Sequence, residues 1–297
     1  MSWIFLAIIA TFFWASSNII DKILRTKYLK SSIALTASFG IFGTIFSTIL
    51  FLFIGIPSIP FQNSIAAFSA GIALCYAIIP YLKALSLEEA SRVIPLWHLS
   101  PIFTLILAVI FLNEILTLLH YSAFTVILFG GILISTRQIR GVFHLSPAVA
   151  LMLFSSFLVS VTDVLMKFAL STGVFWETFF IFYLGISLSQ LSLFAFPSVR
   201  KHFSKAFSRK QNFILILFLS GLMGFIGYTL FNNALLSGPV TLVSVFVSFQ
   251  SLFVLLLAAF LSSKYPLIIK ETIDAKTIGI KLIAIGLMAF GLFLLSF

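Results

Sequence analysis

The sequence predicts an all-α polytopic membrane protein of ten transmembrane helices, arranged as two inverted five-helix repeats. Three observations carry that reading. Apolar runs of about 20 residues recur from end to end, the length that crosses a hydrocarbon core of about 30 Å as a helix. Basic residues gather in alternate connecting loops. The two halves of the chain also align on each other, polar positions included.

Composition sets the class. The 297 residues are 61% hydrophobic and 9% charged, with a mean hydropathy of +1.20. A soluble domain of this length needs more polar residues than that to cover its exterior. Strands of an outer-membrane barrel alternate polar and apolar residues, and stretches such as 33–56 do not. The net charge of +10 is spread over short loops, so it indicates the positive-inside bias of insertion and no nucleic-acid partner. Cys75 is the single cysteine. It lies in an apolar span, forms no intrachain disulfide and reads as a small buried hydrophobe. Residues 1–9 have no basic n-region and no A-x-A-like site follows them, so the first span is expected to be retained.

The spans follow in order. The first, 3–20, ends before Lys22, Arg25, Lys27 and Lys30. The second, 32–56, is stopped by Pro57 and Pro60. The third and fourth, 64–84 and 92–112, flank Glu88, Glu89 and Arg92, a solvated loop cluster. The fifth, 115–135, precedes Arg137 and Arg140; the sixth is 146–170. After the seventh, 176–196, a basic loop carries Arg200, Lys201, Lys205, Arg209 and Lys210. Gly238-Pro239 divides the eighth, 213–236, from the ninth, 240–262, and Lys264, Lys270 and Lys276 precede the tenth, 276–296. The loops around Pro57, Glu114, Glu177 and Pro239 have essentially no basic residues. Odd-numbered loops are therefore expected in the cytoplasm, and both termini outside a cell (inner) membrane.

A shift of about 145 positions sets Thr11 on Ser156, Asn18 on Asp163 and Lys22 on Lys167. A shift of about 150 sets Ala84-Leu85 on Ala234-Leu235, Val93 on Val243, Phe103 on Phe253 and Ala108 on Ala258. The repeats are drawn as 1–140 and 141–297. Five spans per unit is an odd number, so the second unit enters the bilayer inverted, with a substrate site expected near the midplane between the units.

Residues 84–114, ALSLEEASRVIPLWHLSPIFTLILAVIFLNE, carry an Ala-Leu pair, a small-residue turn at Ala90, a mid-span Pro101 and a closing Glu114. This pattern resembles the EamA family of the drug/metabolite transporter superfamily. The opening TFFWASSNIIDKIL, with Trp14, Ser17 and Asn18, is similar to the family's first helix. ALLSGPVTLVSVFVSFQSLFVLLLAAFL resembles its second copy, with Gly238-Pro239 at the turn. Lys264 stands where that copy has its glutamate, and 265–275 reads as an insertion. Many members have a cytoplasmic amino terminus. Here the charge pattern is opposite, so either the chain is an inverted member, the reading taken, or the charge rule fails for it.

Polar groups inside spans are costly and therefore informative. Thr11, Trp14, Asn18 and Lys22 form a stripe on the first span, matched by Ser156, Ser160, Asp163 and Lys167 on the sixth; both are expected to face the interior. Asp163 and Lys167 form either a charge-binding site or a salt bridge near a span end, with the lysine snorkelling. Val93, Trp97, Pro101 and Thr104 share a face of the fourth span, where Pro101 should kink the helix. His98 beside them could couple protons or simply pack helices. Thr241, Ser244, Ser248 and Ser251 are the counterpart on the ninth span, with Gln250 adjacent, and could equally be helix cement. Tyr76, Pro80 and Tyr81 mark the third span; Gly221, Gly224, Tyr228 and Asn232 mark the eighth, with the glycines expected to permit close packing. Trp14, Tyr76 and Trp97 suggest an aromatic-lined pocket. The candidate cavity set is thus Trp14, Asn18, Tyr76, Trp97, His98, Pro101, Ser160, Asp163, Lys167, Tyr228, Asn232, Ser248 and Gln250.

No P-loop, H-E-x-x-H helix or G-x-S-x-G elbow occurs, and the four histidines lie in separate segments. No catalytic residue, cofactor or metal is expected. The leading expectation is a secondary transporter exporting a small organic solute, an amino acid or related metabolite, by alternating access between the repeats. The alternatives are a flippase for a lipid-linked headgroup and, from other classes, an intramembrane enzyme or a structural membrane protein.

Overall fold

The computed structural model describes residues 2–87, 93–139, 147–209, 212–264 and 275–295. Glu88, Glu89, Arg92, Arg140, Lys210, Lys270 and nearly all of the expected insertion lie outside them. Among the described residues there is no strand.

α1 (Trp3–Ile23) runs on through a π-helical turn, Leu24–Tyr28. α2 (Ser32–Ile54) starts where the Ser31 hydroxyl accepts the Ala34 N–H and ends at Gly55, whose φ of +76° suits only a residue without a side chain. α3 (Phe61–Leu87) contains Pro80. A 3-10 segment, Ile94–Leu99, leads into α4 (Ser100–Leu112), then α5 (Leu118–Ile139). α6 (Pro147–Ala169), α7 (Phe175–Ser192) and α8 (Pro197–Arg209) follow. α9 (Phe213–Ser237), α10 (Val240–Val245), α11 (Ser248–Lys264) and α12 (Ala275–Leu294) complete the chain.

Among the described residues, six stretches are long and apolar enough to cross a membrane: Trp3–Tyr28, Ser32–Ile54, Phe61–Leu87, Pro147–Thr172, Phe175–Ala195 and Phe213–Ser237. The other apolar stretches, Leu96–Leu112, Leu118–Leu133, Val240–Val254 and Leu282–Leu294, are shorter.

Three expectations are corrected. Pro101 does not kink a continuous fourth helix. It occupies the first turn of α4, where its missing N–H is an orphan anyway, and a 3-10 segment precedes it. The ninth span is also interrupted, at residues 246–247 between α10 and α11. The basic stretch after the seventh span is a helix rather than a loop. α8 turns Val199 and Ala206 inward, leaves Arg200, Lys201 and Lys205 exposed, and packs Phe203 edge-on against Phe194 and Phe213.

Packing is reciprocal between the halves. α1 lies against α9 and α11, α6 against α3 and α4, α2 against α7, and α5 against α12. Small residues allow the approach. A Cβ at Gly71 of α3 would stand 2.3 Å from the Phe182 carbonyl oxygen of α7, and one at Gly185 of α7 would stand 2.4 Å from that of Phe68 on α3. With no apolar solvent penalty to drive helices together in lipid, such close contact supplies the attraction.

Candidate functional site

α1 builds the site first. Trp14, Ser17, Asn18 and Asp21 recur at i, i+3, i+4 and i+7, one face of a helix, and all four line a central cavity of about 160 Å³. α2 and α3 contribute Phe46 and Tyr81, α6 Thr162 and Asp163, α7 Tyr183 and Gln190, and α9 Ser220 and Tyr228. Both interrupted segments reach it as well, through Trp97 and Ser100 on one side and Val247 and Gln250 on the other. Breaks in two helices thus fall at one cavity, as in transporters built on discontinuous helices.

Aromatic pairs form its walls. Trp14 packs against Tyr228 and Phe231 with ring centroids 5.0 Å and 4.9 Å apart, and Tyr81 against Trp97 at 5.2 Å. The Tyr81 hydroxyl donates to Asn18 Oδ1 at 3.0 Å. The Ser220 hydroxyl donates to Asp21 Oδ1 at 2.5 Å and lies 3.1 Å from Ser17 Oγ. Trp14 Nε1, Asn18 Nδ2, Ser100 Oγ and Asp163 Oδ2 are buried with no hydrogen-bond partner. Buried polar atoms in that state are unusual, and four at one cavity mark a place built for something else to bond to.

Trp14, Asn18, Trp97, Asp163, Tyr228 and Gln250, all expected from sequence, meet at this cavity. The remaining candidates lie elsewhere. Tyr76 is 51% exposed on the outer surface, and Tyr81, five residues on and so on another face, takes the wall position. His98 is buried and shares a hydrogen bond of 2.9 Å with the Ser251 hydroxyl, tying the 3-10 segment to α11. Ser160 bonds back to the Phe157 carbonyl at 2.6 Å, and Asn232 to that of Tyr228 at 2.8 Å. Ser248 is fully buried, and a Cβ on Gly131 of α5 would meet its own at 2.6 Å. Pro101 is buried at the start of α4 while its neighbour Ser100 faces the cavity.

The expected Asp163–Lys167 pair does not form. Lys167 Nζ donates to the carbonyls of Leu235 (2.6 Å) and Gly238 (2.8 Å), the end of α9. Just beyond, Glu114 accepts the N–H groups of Val240 (2.9 Å) and Thr241 (3.1 Å) at the start of α10. These two side chains bracket the Gly238-Pro239 break. At the far end of α3, Arg25 donates to the carbonyls of Leu82 (3.2 Å) and Leu29 (3.0 Å). The glycine expectation is corrected too. A Cβ on Gly224 would meet nothing within 4 Å and one on Gly221 only ordinary contacts, so both leave cavity space open; the close approach is at Gly227, against Trp14.

Sequence reasoning missed Asp21, placing Lys22 on the stripe instead. Asp21 is buried and Lys22 only part-buried. The i+3 step from Asn18 was available as a signal, but the repeat alignment favoured the i+4 step.

Residues 1–136 match the model of the EamA-like transporter family. This first part of the chain is similar to that family. The second-copy resemblance, at 234–261, lies beyond the matched residues. No curated protein matches the chain. Among solved structures, one crystal structure with 16% sequence identity superimposes with a TM-score of 0.66, covering 97% of this chain and 95% of its own, which shows a common fold. The similarity to that family over 1–136 and the several long apolar helices are those of a multi-pass membrane protein.

Proposed function

We propose that this protein is an EamA-type secondary transporter that moves a small organic solute, an amino acid or related metabolite, through the central cavity by alternating access. The observation that carries the reading is the cavity itself. α1, α2 and α3 from one half and α6, α7 and α9 from the other converge on it, with both interrupted segments at its wall. At about 160 Å³ it lies below the ~300–1,000 Å³ of sites for drug-sized ligands, which favours a compact metabolite. The scaffold we infer has ten crossing helices in two inverted five-helix repeats, 1–140 and 141–297. Reciprocal packing supports it: α1 lies on α9 as α6 lies on α3, and α1 on α11 as α6 on α4. Orientation in the cell (inner) membrane follows the basic residues, with α8 in the cytoplasm, both termini outside and transport outward.

The test is solute flux in proteoliposomes, resolved by metabolite. The expected result is saturable movement of a small solute that Trp97→Ala and Asn18→Ala reduce by about tenfold or more, a step of ~1.4 kcal/mol in binding. Flux unchanged by both substitutions would remove the cavity from the pathway.

A further inference from the structure

We propose that the cavity takes an amphipathic organic cation, with an ammonium group held by Asp163 and Asp21 and an apolar body against Trp14, Tyr81 and Trp97. This rests on the cavity being the transport site. The sign of the lining is the first argument. Among the described residues that line it, Asp21 and Asp163 are the charged ones, with no lysine, arginine or histidine. The protein as a whole carries +10, so its interior opposes its average.

Buried and part-buried basic side chains nearby are committed elsewhere. Lys167 is held by the α9 carbonyls, Arg25 by those of Leu82 and Leu29, and His98 by Ser251. Asp163 is 6% exposed, and its Oδ2 is buried without a partner. A carboxylate in that state is held in place by the fold at a cost that an incoming cation removes. Asp21 is already steadied by the Ser220 hydroxyl, which Ser17 meets in turn, and the Tyr228 hydroxyl lies within electrostatic reach of both acids.

The walls decide between kinds of cation. Calcium or magnesium wants six or more oxygen ligands, whereas the cavity that holds the acids is also lined by indole and phenol rings. Aromatic faces attract alkylammonium groups and accept their hydrocarbon bodies. A zwitterion would bring a carboxylate as well, to be met only by neutral donors such as Trp14 Nε1 and Asn18 Nδ2. An anion would meet two like charges, which selects against it.

Three probes share one body and differ in charge: 2-phenylethylammonium, phenylalanine and 3-phenylpropionate. Their binding to the full-length protein in nanodiscs is read from tryptophan fluorescence. The amine should bind at least about tenfold more tightly than phenylalanine, with no saturation by 3-phenylpropionate in the same range. Asp163→Asn should weaken the amine by about tenfold or more and Asp163→Glu by much less, each judged on protein with an unaltered melting temperature. The probe comparison on the unaltered protein depends on no variant's folding. Equal or tighter binding of phenylalanine or 3-phenylpropionate overturns the cation assignment, as does amine binding indifferent to Asp163→Asn, saturation by sodium chloride alone, or silence from all three probes. If phenylalanine or 3-phenylpropionate binds best and Trp97→Ala abolishes it, the cation class falls while the transport site stands. Absence of any solute flux in proteoliposomes would remove the transport reading itself.

Discussion

Single residues divide into those that hold helices together and those that keep space between them, and glycine does both. Gly71 is pressed against the α7 backbone, so Gly71→Ala must push α3 and α7 apart. It should cost about 1–3 kcal/mol, the usual price of overpacking, and lower the melting temperature in detergent. Gly224 faces open cavity. Gly224→Leu should leave the melting temperature near its original value and abolish flux by occupying the solute's volume. Equal melting losses for the two would contradict the assignment of packing and space. Much of the polar lining was legible in the sequence, because a polar group within an apolar run stands out. Trp14, Asn18, Asp163 and Gln250 were found that way. Asp21 escapes for a geometric reason. It lies one position from Lys22, and a period of 3.6 allows either an i+3 or an i+4 continuation from Asn18 until the neighbouring helix is known.

Elements show which pairings sequence reasoning could not supply. The acid-before-base spacing of Asp163 and Lys167 suits an exposed helix pair. In the folded chain the lysine instead meets the unsatisfied carbonyls at the end of α9, partners some 70 positions away that become neighbours only after packing. Glu114 is the complementary case. It reads as the closing residue of a motif, and in space it caps α10 in the other half. Glu114→Ala removes an acceptor from two N–H groups, so it should destabilise by about 1–3 kcal/mol. Thermal unfolding checks this, and a loss no greater than for Glu177→Ala, on an exposed loop contact with Ser58, would deny Glu114 that role. α8 illustrates a different limit. Its lysines and arginines suggested a loop, while the Val199, Phe203 and Ala206 spacing that makes it an amphipathic helix was hidden by the charge.

Six of the described apolar segments are long enough to match a bilayer thickness, and the order of the segments follows directly from the sequence. The interruptions before α4 and between α10 and α11 do not, because the composition there stays apolar and only the local backbone changes. Orientation is testable across the whole molecule. On a Cys75→Ala background, Ser2→Cys should be labelled by an impermeant thiol reagent from outside intact cells, and Ser204→Cys on α8 only after permeabilisation. The opposite pattern would turn the protein over. The reciprocal packing described above has one more consequence, for biosynthesis. α1 finds its main neighbours, α9 and α11, only after most of the chain has been made, and α3 must wait for α6 and α7. Neither half can complete its own interior during translation, so the nascent first five segments remain loosely associated in the bilayer until the last arrive. Residues 1–140 and 141–297 made as separate polypeptides should therefore each be short-lived alone and recover a common, protease-resistant particle when produced together.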